Sequence, residues 1–295
     1  MTARLMMIHA LSPLHAGTGQ SVGAIDLPIA RERATGIPYL PGSSLKGALR
    51  DRSDQREDLR PQTKGVFGPP TENASEHSGS VFFGDARLLL FPVRSIAGTF
   101  AWVTSPYLLG RLARDLRESG HKSVLKVPDI NGAQTCLVPG GSQLVLKGEP
   151  KRVIFEDLDF QPAGNKEQEG TSIAQLVGGL CGPLGLDAAA LQQRLCIVHD
   201  DVLAYLVEHA TEVAARIRLD NDTKTVAKGA LWYEEALPAE SVLVSLLLFQ
   251  PTRQSGLTAD TVAKHLDKLT EGAVQLGGKA TVGRGLCALH LTRGA

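Results

Sequence analysis

Apolar positions along this chain fall into short continuous runs and helix-spaced sets that alternate from one end to the other. Arg4–Ala10 reads as a short apolar strand followed by a glycine-rich turn. Pro41-Gly42-Ser43-Ser44 reads as a turn feeding a helix over Ser43–Arg52. Ser43 or Ser44 is placed to cap it, and Lys46 and Arg50 lie four apart on one face. Ser53–Ser80, which includes Gly68-Pro69-Pro70 and a stretch poor in apolar residues, reads as an exposed insertion before a strand resumes at Val81. Leu108, Leu109, Leu112 and Leu116 have helical spacing within Ser105–Ser119, closed by Gly120. Strands are expected around Gln143–Lys147 and Arg152–Phe160, then a polar break at Gly164–Gly170 and helices near Ser172–Leu180 and Asp200–Val213.

Arg216–Asp220 and Lys228–Tyr233 flank a polar, threonine-rich stretch from Asn221 to Thr225, which predicts a protruding β-hairpin. Val242–Phe249 is a continuous apolar run suited to a buried central strand. Thr258–Leu276 carries Val262, Leu266, Leu269 and Val274 as an amphipathic helix with Thr258 as its cap, and Leu286–Leu291 supplies a last strand. Strands and helices interleave over the full length, so the fold class is α+β.

Composition narrows the chemistry. A chain of 295 residues with 43% hydrophobic content can bury a large core. No segment approaches the roughly 20 apolar residues of a membrane span, and the apolar run at the start is too short for a secretory signal, so cytoplasmic residence with no membrane partner is expected. Cys136, Cys181, Cys196 and Cys287 show no CxxC spacing, which disfavours a zinc site or a disulfide framework and predicts buried, reduced thiols. Lys plus Arg equal Asp plus Glu at 31 each, so any nucleic-acid groove must come from local asymmetry. One such asymmetry runs from Pro28 to Arg50, where Arg31, Arg33, Lys46 and Arg50 face only Glu32.

Several residues could carry chemistry. Gly17, Gly19 and Gly23 permit close backbone approach just before Asp26, a lone acid with apolar neighbours. On residue type alone Asp26 is a turn former first and a functional acid second. His15 precedes the same turn and reads alone as a hydrogen-bonded structural histidine, although its titration range suits proton transfer. Glu234 and Glu235 follow Trp232 and Tyr233, a pattern that alone describes an edge-strand surface. Gly277, Gly278, Gly283 and Gly285, with Lys279 and Arg284, form a loop that is either a tight connection or a phosphate-close turn. PGSSLKGA lacks the order of a Walker A loop, and no GxSxG elbow is present, so nucleotide and serine hydrolases are disfavoured.

Three segments together resemble a known family: IDLPIARERATGIPYLPGSSLKGALR, then GALWYEEALP from Gly229 to Pro238, then LGGKATVGRG from Leu276 to Gly285. They are similar to the backbone subunit of the type III-B (Cmr) CRISPR effector complex, a member of the RAMP superfamily of RNA-binding proteins. The resemblance implies one RAMP domain over residues 1–295. Its core would be a discontinuous ferredoxin-like (RRM-like) palm, with a finger-like insertion near 53–80 and a thumb β-hairpin near 214–238. It implies a metal-dependent, RNA-guided endoribonuclease that forms a repeating filament on guide crRNA beside other Cmr subunits. Such a subunit cuts paired target single-stranded RNA at regular intervals. On the matching positions Asp26 becomes the essential acid and a ligand for Mg²⁺ or Mn²⁺. His15, Tyr233, Glu234 and Glu235 become further catalytic candidates. Ser43, Ser44, Lys46 and Arg50 become guide-phosphate contacts, joined by the glycine loop of Gly277, Gly278, Lys279, Gly283, Arg284 and Gly285; Arg31 and Arg33 face RNA or a neighbouring subunit. The alternatives are a non-catalytic guide-binding scaffold and a stand-alone guide-processing nuclease.

Overall fold

The computed structural model describes residues 2–19, 25–70, 72, 77–121, 125–163, 173–220, 222–251 and 256–292. Gly23, residues 73–76 of the expected insertion, the break at 164–170 and Asn221 lie outside them. The chain opens with β1 (Thr2–Ala10), β2 (Tyr39–Leu40), α1 (Gly42–Gln55), α2 (Thr63–Phe67), β3 (Val81–Phe83), β4 (Ala86–Arg94), β5 (Phe100–Thr104) and α3 (Pro106–Glu118). A middle block follows: β6 (Thr135–Leu137), β7 (Val153–Phe155), β8 (Leu158–Pro162), α4 (Ile173–Leu184), α5 (Ala188–Arg194), β9 (Leu195–Val198) and α6 (Asp200–His209). The last part holds β10 (Glu212–Leu219), β11 (Val226–Ala236), β12 (Val242–Phe249), α7 (Ala259–Leu269), β13 (Ala273–Gln275) and β14 (Leu286–Leu291).

The architecture is mixed, with a large sheet as its core. Strands run in the order β13-β14-β1-β12-β4-β5-β9-β6-β8-β7, with β3 also paired to β12 and β2 to β4. Strands from the two ends of the chain lie side by side at its centre: β1 pairs antiparallel with both β12 and β14. Alternate residues of these strands serve two cores. Met6, Ile8, Leu243 and Leu247 pack with Leu45 and Leu49 of α1 and Val262 and Leu266 of α7. Leu5, Met7, Val242 and Val244 pack with Leu109 and Leu112 of α3 and Leu176 and Leu180 of α4. Both faces being covered, the central strands read as unbroken apolar runs rather than alternating ones.

The structure corrects several expectations. Neither Ser43 nor Ser44 caps α1; Pro41 occupies the cap position, and Asp85 Oδ1 accepts from Gly42 N at 2.8 Å. The expected exposed insertion is exposed at many of its described residues but is anchored by Leu59, Thr63, Val66 and Phe67, which are buried. Gln143–Lys147 forms turns, not a strand. The helix expected through Val213 stops at His209, because Glu212 and Val213 already belong to β10. Thr258 caps α7 as expected, its side chain accepting from Thr261 N at 3.2 Å, but the helix ends at Leu269 and Val274 joins β13. All four cysteines are free, and Cys136, Cys196 and Cys287 are buried.

Candidate functional site

Three stretches far apart in sequence meet at the base of the β10–β11 hairpin. Residues 14–18 run beside the end of β11, with Leu14 and Leu237 exchanging backbone hydrogen bonds at 2.9 Å in each direction. Residues 27–30 lie on the other side of that segment, Ala30 N donating to Ala16 O at 2.8 Å. The same loop ladders onto β11 through Leu27 N to Tyr233 O at 3.1 Å and Glu235 N to Leu27 O at 3.0 Å. The glycine loop closes the third side: Gly278 N donates to His15 O at 2.9 Å and Gly285 N to Pro13 O at 2.8 Å. A side chain at Gly277 would strike the His15 carbonyl, and one at Gly17 would strike the His15 ring, so both positions require glycine for close approach.

His15 is 7% exposed, and its Nδ1 lies 2.7 Å from Glu235 O. A carbonyl can only accept, so Nδ1 carries a proton and Nε2 is the nitrogen left for exchange. Asp26 is exposed, and its Oδ2 accepts from Tyr233 N at 2.8 Å. Thus His15 and Asp26 are tied to alternate residues of one strand, Glu235 and Tyr233. Tyr233 itself presents its ring to solvent at 41% exposure.

The two glutamates next to it are buried and engaged. Glu234 Oε1 accepts from Lys279 Nζ at 2.9 Å and Trp232 Nε1 at 2.8 Å, while Oε2 stands 3.4 Å from Arg216 Nε. Burial pushes its carboxyl up, but the hydrogen bonds from Lys279 and Trp232 and the charges of Lys279 and Arg216 outweigh it and hold the pKa down at about 2. Glu235 accepts from Ile29 N at 3.0 Å, Arg31 Nη2 at 2.6 Å and Thr211 Oγ1 at 2.9 Å.

The basic candidates divide. Arg31, Lys279 and Arg284 face carboxylates of their own chain; Arg284 is 8% exposed and lies 3.7 Å from Glu212 Oε2. Lys279 sits in the left-handed region with φ 65, as do Gly277, Gly283 and Gly285. On α1, Ser43 and Ser44 are exposed and Arg50 donates to Pro69 O at 2.9 Å. Lys46 has no hydrogen-bond or ion-pair partner among the described residues. Burial first, and then the charge of Arg50, lowers its pKa. Arg33 is exposed and likewise unpaired among the described residues. Sequence reasoning missed Thr211, Arg216 and Asp85; of these only Arg216 had a signal, since it shares a hairpin face with Glu234 in the observed register.

The hairpin beyond the site is two-faced. Ile217 lies opposite Leu231 and Leu219 opposite Val226, each at least half exposed, with Tyr233 opposite Ala215 on the same side. At the tip, Asp220 Oδ1 accepts from the backbone of Asp222 and Thr223, which sets the turn. Among the described residues no group of three or more His, Cys, Asp or Glu could hold a metal ion. Asp26 is the one exposed carboxylate of the cluster, which suits an ion shared with another ligand rather than a protein-only site. No described helix is long and apolar enough to cross a membrane.

The sequence pattern of the RAMP superfamily matches residues 7–288. Over 294 residues the chain is 36% identical to the CRISPR system Cmr endoribonuclease Cmr4 of Pyrococcus furiosus, covering 99% of this chain and 96% of that protein. Oligomeric Cmr4 from Pyrococcus furiosus superposes with a TM-score of 0.77 at 29% identity, over 99% of this chain and 98% of that one. A chain of type III-B Cmr-beta bound to cognate target RNA shares the fold, with a TM-score of 0.75 at 23% identity over 99% and 97% of the two chains. The chain therefore belongs to the RAMP superfamily, within its Cmr4 family.

Proposed function

We propose that this chain is the backbone subunit of a type III-B effector, an RNA-guided endoribonuclease that binds guide crRNA as a repeating filament and cuts complementary RNA at regular intervals. The observation that carries this reading is the convergence of His15 and Asp26 on Tyr233 and Glu235 at the thumb base. The likeness to the Cmr endoribonuclease Cmr4, and to a Cmr4 described as oligomeric, supports activity and self-association. The β1-α1-β3/β4-β12-α7-β14 connectivity, with strands ordered β14-β1-β12-β4, supports a ferredoxin-like palm assembled from both ends of the chain, with residues 1–295 as one domain. Other Cmr subunits are its partners, and the cytoplasm is its compartment.

In the proposed reaction the 2′-hydroxyl oxygen of the target attacks the adjacent phosphorus and the P–O5′ bond breaks, leaving a 2′,3′-cyclic phosphate and a 5′-hydroxyl. The proton leaves the 2′ oxygen, and a proton must reach the 5′ oxygen. The exposed Asp26 carboxylate acts as the base that accepts the 2′-hydroxyl proton. His15, its Nδ1 proton committed to Glu235 O, acts with a second proton on Nε2, which passes to the 5′ oxygen as the P–O5′ bond breaks. A Mg²⁺ or Mn²⁺ ion would be held by Asp26 together with RNA phosphate oxygens and water, and would neutralise charge building at the phosphate. In-line attack needs the sugar turned out of A-form geometry, and the exposed apolar face of the hairpin is suited to holding a displaced base. Lys46 and Arg33, unpaired among the described residues, are the cations offered to guide phosphates.

The test is reconstitution with guide RNA and companion subunits on a labelled complementary target, with a single 2′-deoxy nucleotide placed 5′ of one scissile phosphate. Regularly spaced cuts that vanish only at the deoxy position, and everywhere on addition of EDTA, are expected. Cutting across the deoxy position contradicts the proposed nucleophile. No cutting at all supports a non-catalytic scaffold.

A further inference from the structure

Resting on the cleavage reading above, we propose that Glu235 is a positioning residue: its carboxylate fixes the Asp26 segment against the thumb base without itself exchanging a proton. Glu235 is 2% exposed and uses every polar atom it has. Its backbone N donates to Leu27 O at 3.0 Å, and its backbone O accepts from His15 Nδ1 at 2.7 Å. Oε2 accepts from Ile29 N at 3.0 Å, and Oε1 accepts from Arg31 Nη2 at 2.6 Å and Thr211 Oγ1 at 2.9 Å. Three donors around a buried carboxylate leave it no open side toward a substrate, whereas the exposed Asp26 carboxylate has one.

The anchoring has a direction. Leu27, Ile29 and Arg31 are alternate residues of an extended segment, and all three turn to Glu235. Glu32, the next residue, turns the other way, accepting from Arg111 of α3 at 3.0 and 2.5 Å. The segment is therefore clasped between the thumb base and the helical face of the sheet, and Asp26 extends from the clasped end. Thr211 sits where α6 hands over to β10, so the other strand of the thumb is drawn to the same oxygen. Because a displacement of about 1 Å at a reacting group can cost about a hundred-fold in rate, such an anchor affects the chemical step more than substrate binding.

Glu235→Gln and Thr211→Val separate this role from the alternatives. In Glu235→Gln the amide replaces one accepting oxygen with a second donor, which opposes either Ile29 N–H or the Arg31 and Thr211 donors. In the reconstituted complex, held in excess over labelled target, the single-turnover rate constant should fall about ten-fold or more. Reaction amplitude, target affinity and product spacing should stay as in wild type, and the pH–rate profile should keep its shape at lower height. Thr211→Val should slow cutting about two- to three-fold, and the double variant should be no slower than Glu235→Gln, because both act through one carboxylate. Lower amplitude with a wild-type rate constant would mean a merely structural residue, and loss of a limb from the pH–rate profile would make Glu235 a proton carrier. Either result overturns the inference. If Glu235→Gln does not assemble, Thr211→Val decides: slowing at unchanged affinity supports the anchor and a wild-type rate refutes it. Asp26→Ala run alongside keeps the two claims apart. Normal cutting by that variant defeats the cleavage reading, whereas its inactivity beside a wild-type Glu235→Gln defeats only the anchor.

Discussion

On α1, Lys46 stands half-buried with no hydrogen-bond or ion-pair partner among the described residues, while at the thumb base Lys279 donates to Glu234 at 2.9 Å and Arg31 to Glu235 at 2.6 Å. Both regions read as basic patches in the sequence. One presents an unpaired cation, and the other pairs its cations with the buried carboxylates Glu234 and Glu235. A cation is a candidate phosphate contact only where the fold leaves it unpaired, so Lys46 and Arg33 are the stronger candidates and Lys279 the weaker.

The largest expected contrast is in stability. Lys279→Ala leaves Glu234 buried with only Trp232 and the more distant Arg216, and should destabilise the protein by about 2 kcal/mol, since Lys279 is partly exposed and Arg216 remains. Lys46→Ala should lie within about 0.5 kcal/mol of wild type. Denaturant titration of the two variants checks this, and equal losses would erase the distinction.

Acid should expose the same contrast. The folded pKa of Glu234, about 2, lies below its unfolded value near 4.5. The carboxylate therefore contributes stability that is complete above about pH 4.5 and is lost as pH falls toward 2, about 3 kcal/mol in all. Stability measured against pH should rise from about pH 2 to about pH 4.5, and the rise should flatten in Lys279→Ala. The smallest effect is on RNA. Lys46→Ala and Arg33→Ala should each reduce the slope of log affinity against log salt by about 1, with little dependence on sequence. An unchanged slope in both would remove α1 and the 33–36 turn from the guide path.

Apolar runs made the sheet readable: Val242–Phe249, covered on both faces, and Leu286–Leu291, buried on one face, carry the same bounds in sequence and structure. The β10–β11 hairpin was readable from its polar tip between β-prone flanks, although both strands run longer than expected. The cap of α1 was not, because it comes from Asp85, far along the chain, while two serines offered a local alternative. The packing of Leu59, Val66 and Phe67 hid within a polar stretch, and β13 was absorbed into the preceding helix because three residues are too few to show a period. At the base of the hairpin the structure gathers His15, Asp26, Glu234 and Glu235, which the sequence named, with Thr211 and Arg216, which it did not. Arg31 with Glu235 and Lys279 with Glu234 are contacts across long loops that only the folded register creates.

The most direct test compares wild type and Asp26→Ala in the reconstituted, guide-loaded complex on the same labelled complementary RNA. Asp26 is exposed and, among the described residues, bonds only the backbone N–H of Tyr233, so assembly and target binding should survive while cutting falls by roughly a thousand-fold. Cutting at the wild-type rate and spacing by Asp26→Ala would contradict the account and move the chemistry away from the thumb base.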